Sequence, residues 1–226
     1  MNEGMKPVVI FGTGELAELA YFYFTHDSAR TVVAFTVDAR YAEAGRECRG
    51  LPLVPFEQLE QHYPPEKFDL FVAIGYTALN SARQQRCEAA RGRGYTLASY
   101  VSTRATTWPD LRVGGNCMIM EGNVVQPFVT IGDGVIMFAS SVVSHHAEIG
   151  DWCFLGSNVT VSGGVRIGER SFIGVNSALR EHIAVGADCI IGAGALILGD
   201  TPAGTGWVEA GTQDSGIPSR RLRSLL

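Results

Sequence analysis

The chain has 226 residues, of which 46% are hydrophobic and 18% charged, and a formal net charge of -5. That length can bury one large core or two small ones. The acidic balance argues against a nucleic-acid partner, because phosphate backbones are held by clustered Lys and Arg. No run approaches the ~20 apolar residues of a membrane span, and the opening "MNEGMKPVVIFGTGELAELA" is broken by an early acid and by glycines, unlike a secretion signal. A cytoplasmic protein with no membrane span is expected.

Residues 1–100 read as α/β. "KPVVIFG" is a buried-type strand, and "TGELAELAYFYFTH" repeats its apolar residues at helical spacing. "TVVAFTVD" is a second strand, "LPLVPFEQLEQHY" a short strand and helix, and "FDLFVAIG" another continuous apolar run. "TALNSARQQRCEAARGRG" reads as a helix with Asn and Arg on its outer face, and "YTLASYV" closes the unit. Strands alternating with helices imply a small, mostly parallel sheet covered on both faces.

The pattern changes over residues 101–226. Stepping by six from Val113 through Ile131, Ile149, Ile167 and Val185 to Ile197 gives fifteen positions, and all are aliphatic or Met. At the 46% hydrophobic frequency, such a run arises by chance on the order of once in 10⁵ trials. Gly114, Gly132, Gly150, Gly168 and Gly186 repeat every eighteen residues, so three hexapeptides make one coil and glycine recurs at one corner. The positions four after each aliphatic residue, among them Cys117, Ser141, Ala147, Cys153, Val159 and Ala195, are mostly small or β-branched and suit the narrow inside of a three-sided β-solenoid. This accounts for the equal spacing of Cys117, Cys153 and Cys189 as core residues. An odd number of cysteines without CxxC indicates neither a disulfide framework nor a zinc knuckle, and no His–carboxylate spacing suits a metal.

A hexapeptide array behind a small α/β domain with "FGTGELAE" resembles the sugar acyltransferases of the left-handed β-helix class. Within them it resembles the bacterial nucleotide-sugar N-acetyltransferases of the bacillosamine and perosamine type; sialic-acid O-acetyltransferases share the layout. The resemblance implies a Rossmann-like nucleotide-sugar-binding domain over 1–100 and a left-handed parallel β-helix acyltransferase domain over 101–226. It also implies a homotrimer with active sites between subunits, acetyl-CoA as co-substrate, and a place in surface polysaccharide or lipopolysaccharide synthesis.

In the first domain, Gly12, Thr13 and Gly14 follow a strand and open a helix, where free N–H groups and the dipole favour a phosphate. Asp38 ends the second strand, and Gly75 and Tyr76 reach the same rim. About 100 residues leave no room for the second half of a dinucleotide site, so NAD is not expected.

In the second domain, "VVSHHAEIGD" puts His145 and His146 on one corner, pointing outward. A sugar amine attacking a thioester must lose a proton, and imidazole, with a reference pKa of ~6.5, is matched to take it. By the resemblance His145 is that base. His146 stands where relatives carry an acid that orients the base, leaving His146, Glu148 or a carbonyl for that role. Phe154 stands where some relatives have a second histidine. The resemblance makes the Gly163 N–H the oxyanion donor. It also places coenzyme A along Gly163, Gly174, Asn176 and Ala193, with its phosphates at Arg220 and Arg221 of "GIPSRRL". The expectation is acetyl transfer to the amino group of a nucleotide-linked deoxy-amino sugar. Its rivals are O-acetylation of a sugar hydroxyl, a non-catalytic trimeric scaffold that binds sugar nucleotides, and a sugar-nucleotide enzyme with another donor.

Overall fold

The computed structural model describes residues 5–42, 45, 47–208 and 211. In the N-terminal region, β1 (Val8–Phe11) is apolar and buried at all four positions, as a strand covered on both faces must be. The next segment, α1 (Glu15–His26), buries Ala17, Ala20 and Phe24 at helical spacing and carries Glu15 and Glu18 in its first turn, where the dipole favours acids. With β2 (Val32–Val37), β3 (Glu47–Cys48), β4 (Leu51–Pro55) and β5 (Asp69–Val72), β1 forms a sheet in the order β3-β4-β2-β1-β5. All pairs are parallel except the short β3–β4 hairpin. The remaining α-helices are the single-turn α2 (Leu59–His62) and α3 (Ser81–Gly92). "YTLASYV" is shared between regions: Leu97 bridges to Leu70, whereas β6 (Tyr100–Val101) pairs with Met118–Ile119.

Beyond it run fifteen two-residue strands, β7 (Arg112–Val113) to β21 (Leu196–Ile197), and then β22 (Gly206–Trp207). Together with β6 they stack into three parallel sheets of seven, five and five strands, in register at intervals of eighteen residues up to β21 and of sixteen at β22. In each of β7 to β21 the second residue is the aliphatic one of the six-residue repeat, and all are buried except the half-buried Val113. The three cysteines lie in the same core, and burial pushes the Cys117 and Cys153 thiols up to about 12, which keeps them as inert packing groups.

The outward residues distinguish the three faces. On the first face they are Tyr100, Met118, Ile136, Phe154, Phe172 and Ile190; on the second Val124, Val142, Thr160, Ala178 and Leu196; on the third Arg112, Thr130, Glu148, Arg166 and Ala184. The first face is apolar because the N-terminal region packs on it: Met118, Ile136 and Phe154 share a core with Phe24, Phe35 and Phe71.

Each corner uses a left-handed residue once per coil. The third-to-first corner has Asn116, Gly134, Trp152, Arg170 and Asp188, and the second-to-third has Phe128, His146, Gly164 and His182. Gly168 is needed for a different reason. Its φ is ordinary, but a Cβ there would stand 2.7 Å from Gly186 C and 2.8 Å from Ala187 Cα of the next coil.

The third-to-first corner also carries the junction, and here the helical reading of α3 is corrected. Arg83, expected on the outer face, is fully buried. Its Nε donates to Gly134 O at 2.9 Å, Nη1 to Gly75 O at 2.5 Å and Ile74 O at 3.3 Å, and Nη2 to Trp152 O at 2.7 Å and Cys153 O at 3.2 Å. Burial lowers its pKa to about 10, so it stays charged at neutrality and is satisfied by carbonyls alone. Asn80 is buried too, donating to Arg170 O at 2.9 Å. Asn116 exchanges two hydrogen bonds with the backbone of Val72. On the opposite side, Asp27 at the end of α1 accepts from Tyr100 Oη, Ser102 Oγ, and the Thr103 N–H and hydroxyl. Burial pushes Asp27 up, but these donors outweigh it and hold the carboxyl at about 2.

Candidate active site

His145 and His146 follow Val142–Val143 of the second face and sit on the second-to-third corner. The chain turns there because His146 takes the left-handed conformation, φ 59°, which His tolerates better than most side chains. The His145 N–H donates to Gln126 Oε1 at 2.9 Å, and the two rings meet edge to face with Nδ1 to Nδ1 at 3.2 Å. The Nε2 edge of His145 lies over Gly163, one coil on: a Cβ at Gly163 would stand 2.7 Å from His145 Cε1 and 3.0 Å from Nε2. Glycine is therefore the residue that lets the ring lie against this backbone. Gly163 O accepts from the His182 N–H, while the Gly163 N–H donates to nothing among the described residues. Among the described residues the corner thus presents an imidazole nitrogen, His145 Nε2, and a backbone donor, each without a hydrogen-bond partner.

Of the side chains expected to orient His145, His146 is the one whose ring meets it. Glu148 lies on the third face and makes no hydrogen bond to His145, because the first residue of its strand points out of the prism. Phe154 is buried on the first face among Phe138, Phe172 and Tyr76, where it packs and offers no proton chemistry.

The other candidates lie elsewhere on the chain. Gly174 and Ala193 stack one coil apart at the first-to-second corner, with Asn176 left-handed beside them. They share no corner with His145 and Gly163. Gly12 follows β1 at φ +116°, a conformation that favours glycine, and Gly14 caps α1 with Thr13 exposed between them. Asp38 follows β2, its Oδ1 held at 2.6 Å by Arg86, whose guanidinium lies against both the Phe11 and Phe56 rings, themselves packed edge to face. Asp38, Arg40, Tyr41 and Arg86 line a cavity of about 590 Å³ at this rim. Gly75 is fixed through its carbonyl by Arg83, and the exposed Tyr76 leans on Phe154 and Phe172. Arg220 and Arg221 fall outside the described residues. No group of three or more His, Cys, Asp or Glu is placed to hold a metal, and no helix is long and apolar enough to cross a membrane, among the described residues.

Arg83, Arg86 and Gln126 were not singled out in the sequence. Gln126 had a signal, since it stands nineteen residues before His145 on the same corner. Arg83 and Arg86 had none, because their partners are distant in sequence.

Fold and corner chemistry together define a hexapeptide-repeat acyltransferase. Residues 164–199 match the family model "Bacterial transferase hexapeptide (six repeats)", and residues 147–167 match "Hexapeptide repeat of succinyl-transferase". Among solved structures, PerB from Caulobacter crescentus, in complex with CoA and GDP-perosamine, is 30% identical at a TM-score of 0.80, covering 91% of this chain and 95% of PerB. A histidine-to-asparagine variant of perosamine N-acetyltransferase from the same organism, with the same two ligands, is 29% identical at a TM-score of 0.81, with 91% and 95% covered. The acetyltransferase domain of PglB from Neisseria gonorrhoeae, in complex with acetyl coenzyme A, is 27% identical at a TM-score of 0.79, with 91% and 97% covered. No curated protein sequence matches the chain. The chain belongs to the family of hexapeptide-repeat nucleotide-sugar acetyltransferases, whose solenoid is a left-handed parallel β-helix.

Proposed function

We propose that the protein transfers an acetyl group from acetyl-CoA to the amino group of a nucleotide-linked deoxy-amino sugar, with His145 as general base. The observation that carries this is the corner itself: His145 Nε2 and the unengaged Gly163 N–H lie side by side, with the ring held from behind by His146. In the working tautomer His145 carries its proton on Nδ1 and donates it to the Nδ1 lone pair of His146, which is protonated on Nε2. The amine nitrogen bonds to the thioester carbon, the carbonyl oxygen takes up negative charge against the Gly163 N–H, and His145 Nε2 removes a proton from nitrogen. Collapse breaks the carbon–sulfur bond. The imidazolium returns its proton to the thiolate, giving amide and free coenzyme A. A neutral His146 accepts from the imidazolium as it does from the imidazole, which is the task an acid performs in relatives.

The nucleotide is assigned to the rim formed by Gly12, Thr13, Gly14, Asp38, Gly75 and Tyr76, and coenzyme A to Gly163, Gly174, Asn176 and Ala193. The first rim sits over the first face and the base on the second-to-third corner, and the coenzyme A residues divide between two corners. One chain therefore does not complete the site. Packing of three chains, with the uncharged second face inside, brings one chain's base to its neighbour's rim. Thiol release from acetyl-CoA, measured over a panel of GDP-, UDP- and dTDP-linked amino sugars, tests the function. His145→Ala is expected to lower kcat about 10²–10⁴-fold while the fold is kept. Turnover with hydroxy sugars but with no amino sugar, or full activity of His145→Ala, would overturn it.

A further inference from the structure

On the second-to-third corner, one coil before the histidine pair, lies a cavity of about 230 Å³ whose lining includes Trp108, Asp110, Arg112, Gln126 and Phe128. It is below the ~300–1,000 Å³ typical of drug-sized clefts, and its size suits a single sugar ring. Trp108 is 55% exposed and Phe128 is 66% exposed, so two large apolar rings face solvent here. Phe128 is moreover left-handed, φ 66°. A bulky residue is strained there, and the same slot two coils on holds Gly164. The cavity is physically joined to the base: the Phe128 ring lies 4.7 Å from the His146 ring, and Gln126 holds the His145 N–H. Asp110 and Arg112 form no ion pair among the described residues.

We propose that this cavity is the acceptor subsite, in which Phe128 and Trp108 hold the apolar C–H face of the amino-sugar ring beside His145. The proposal rests on the acyl-transfer function above and names residues that set acceptor specificity. An aromatic face packs well against a pyranose C–H face and leaves the ring hydroxyls free for polar partners. Asp110 supplies the counter-charge for the acceptor's ammonium before it is deprotonated, and Arg112 donates to a ring oxygen. Holding the ring here also explains why a strained aromatic is kept where asparagine or glycine would relieve the backbone.

The deciding variant is Phe128→Asn, because asparagine accepts a left-handed φ and so separates loss of the ring from loss of fold. With an amino-sugar nucleotide that the wild type turns over, GDP-perosamine being the first tried, KM for the acceptor is expected to rise about tenfold. KM for acetyl-CoA is expected to stay within about twofold, and Tm to hold or rise. Trp108→Leu is expected to act in the same direction, and Phe128→Tyr to retain the wild-type KM. An unchanged acceptor KM in Phe128→Asn, a rise confined to acetyl-CoA, or a changed molecular mass by light scattering would each overturn the subsite, the last by making it a subunit contact. If the wild type turns over no sugar nucleotide at all, the acyl-transfer function fails and the subsite with it. If the wild type is active and Phe128→Asn matches it, only the subsite fails.

Discussion

Two corners of the same prism share one backbone and do opposite things. At the third-to-first corner the left-handed residues Asn116 and Trp152 are buried, and the carbonyls of Gly134 and Trp152 are given to Arg83. At the second-to-third corner Phe128, His146 and His182 take the same conformation and face outward. The backbone repeat supplies a slot, and what packs beside the slot decides whether it is buried under the N-terminal region or left open to solvent. A solenoid can thus place structural and chemical work a third of a turn apart without altering its core.

The largest expected effect breaks the junction corner. Arg83→Ala leaves the carbonyls of Gly75, Gly134 and Trp152 buried without their donor, and is expected to cost about 3–5 kcal/mol. Urea unfolding is expected to split into two transitions, with the solenoid's unchanged. Arg83→Lys, which restores the charge but not the fork, is expected to recover only part of the loss.

The glycines sharpen the contrast. Gly168→Ala pushes a methyl into the backbone of the next coil and is expected to destabilise by about 1–3 kcal/mol in thermal melts. Gly163→Ala meets the His145 ring first, a side chain that can swing away. Its stability is expected to change by less than about 1 kcal/mol, while displacement of the base lowers kcat by about 10²-fold. Similar losses of stability in both would erase the distinction between the corners.

The smallest effect concerns Asp27, the tie on the far side of the junction. Its folded carboxyl titrates at about 2, against about 3.9 for an ordinary aspartate. The unfolded chain therefore binds the proton first as pH falls. The tie's stabilisation is complete above about pH 4, and is lost progressively as pH drops toward 2. With part of the carboxyl in contact with solvent, about 1–2 kcal/mol is expected. Asp27→Asn is expected to lose that amount at pH 7 and to show a flatter stability profile between pH 4 and 2.

The solenoid was legible because its order is nearly one-dimensional: the six-residue phase of Val113 to Ile197 fixes strand, face and corner without distant contacts. The same phase put His145 on an outward corner. It did not reveal that His146 would meet its Nδ1, since that depends on a left-handed φ and on ring rotation. The helix α3 was legible as a helix, but its buried face was not. A charged residue reads as solvent-facing, and Arg83 is buried only because carbonyls 51 and 69 residues away converge on it. Phe128 carried no alternation or motif, and its exposure follows from which corner its coil happens to end on.

Like residues spaced evenly along the first face create a problem of address. Met118, Ile136, Phe154 and Phe172 offer the N-terminal region nearly equivalent berths, each one strand spacing (~4.8 Å) from the next. Apolar packing alone tolerates a slip by one berth. The polar ties do not. Asn116 fits the Val72 backbone, Arg83 spans Gly134 and Trp152, and Asn80 reaches Arg170 O, so each rung is read by a different side chain. They act as a vernier on a uniform scale, and the coil on which the rim of Gly12, Gly75 and Tyr76 stands is set by them.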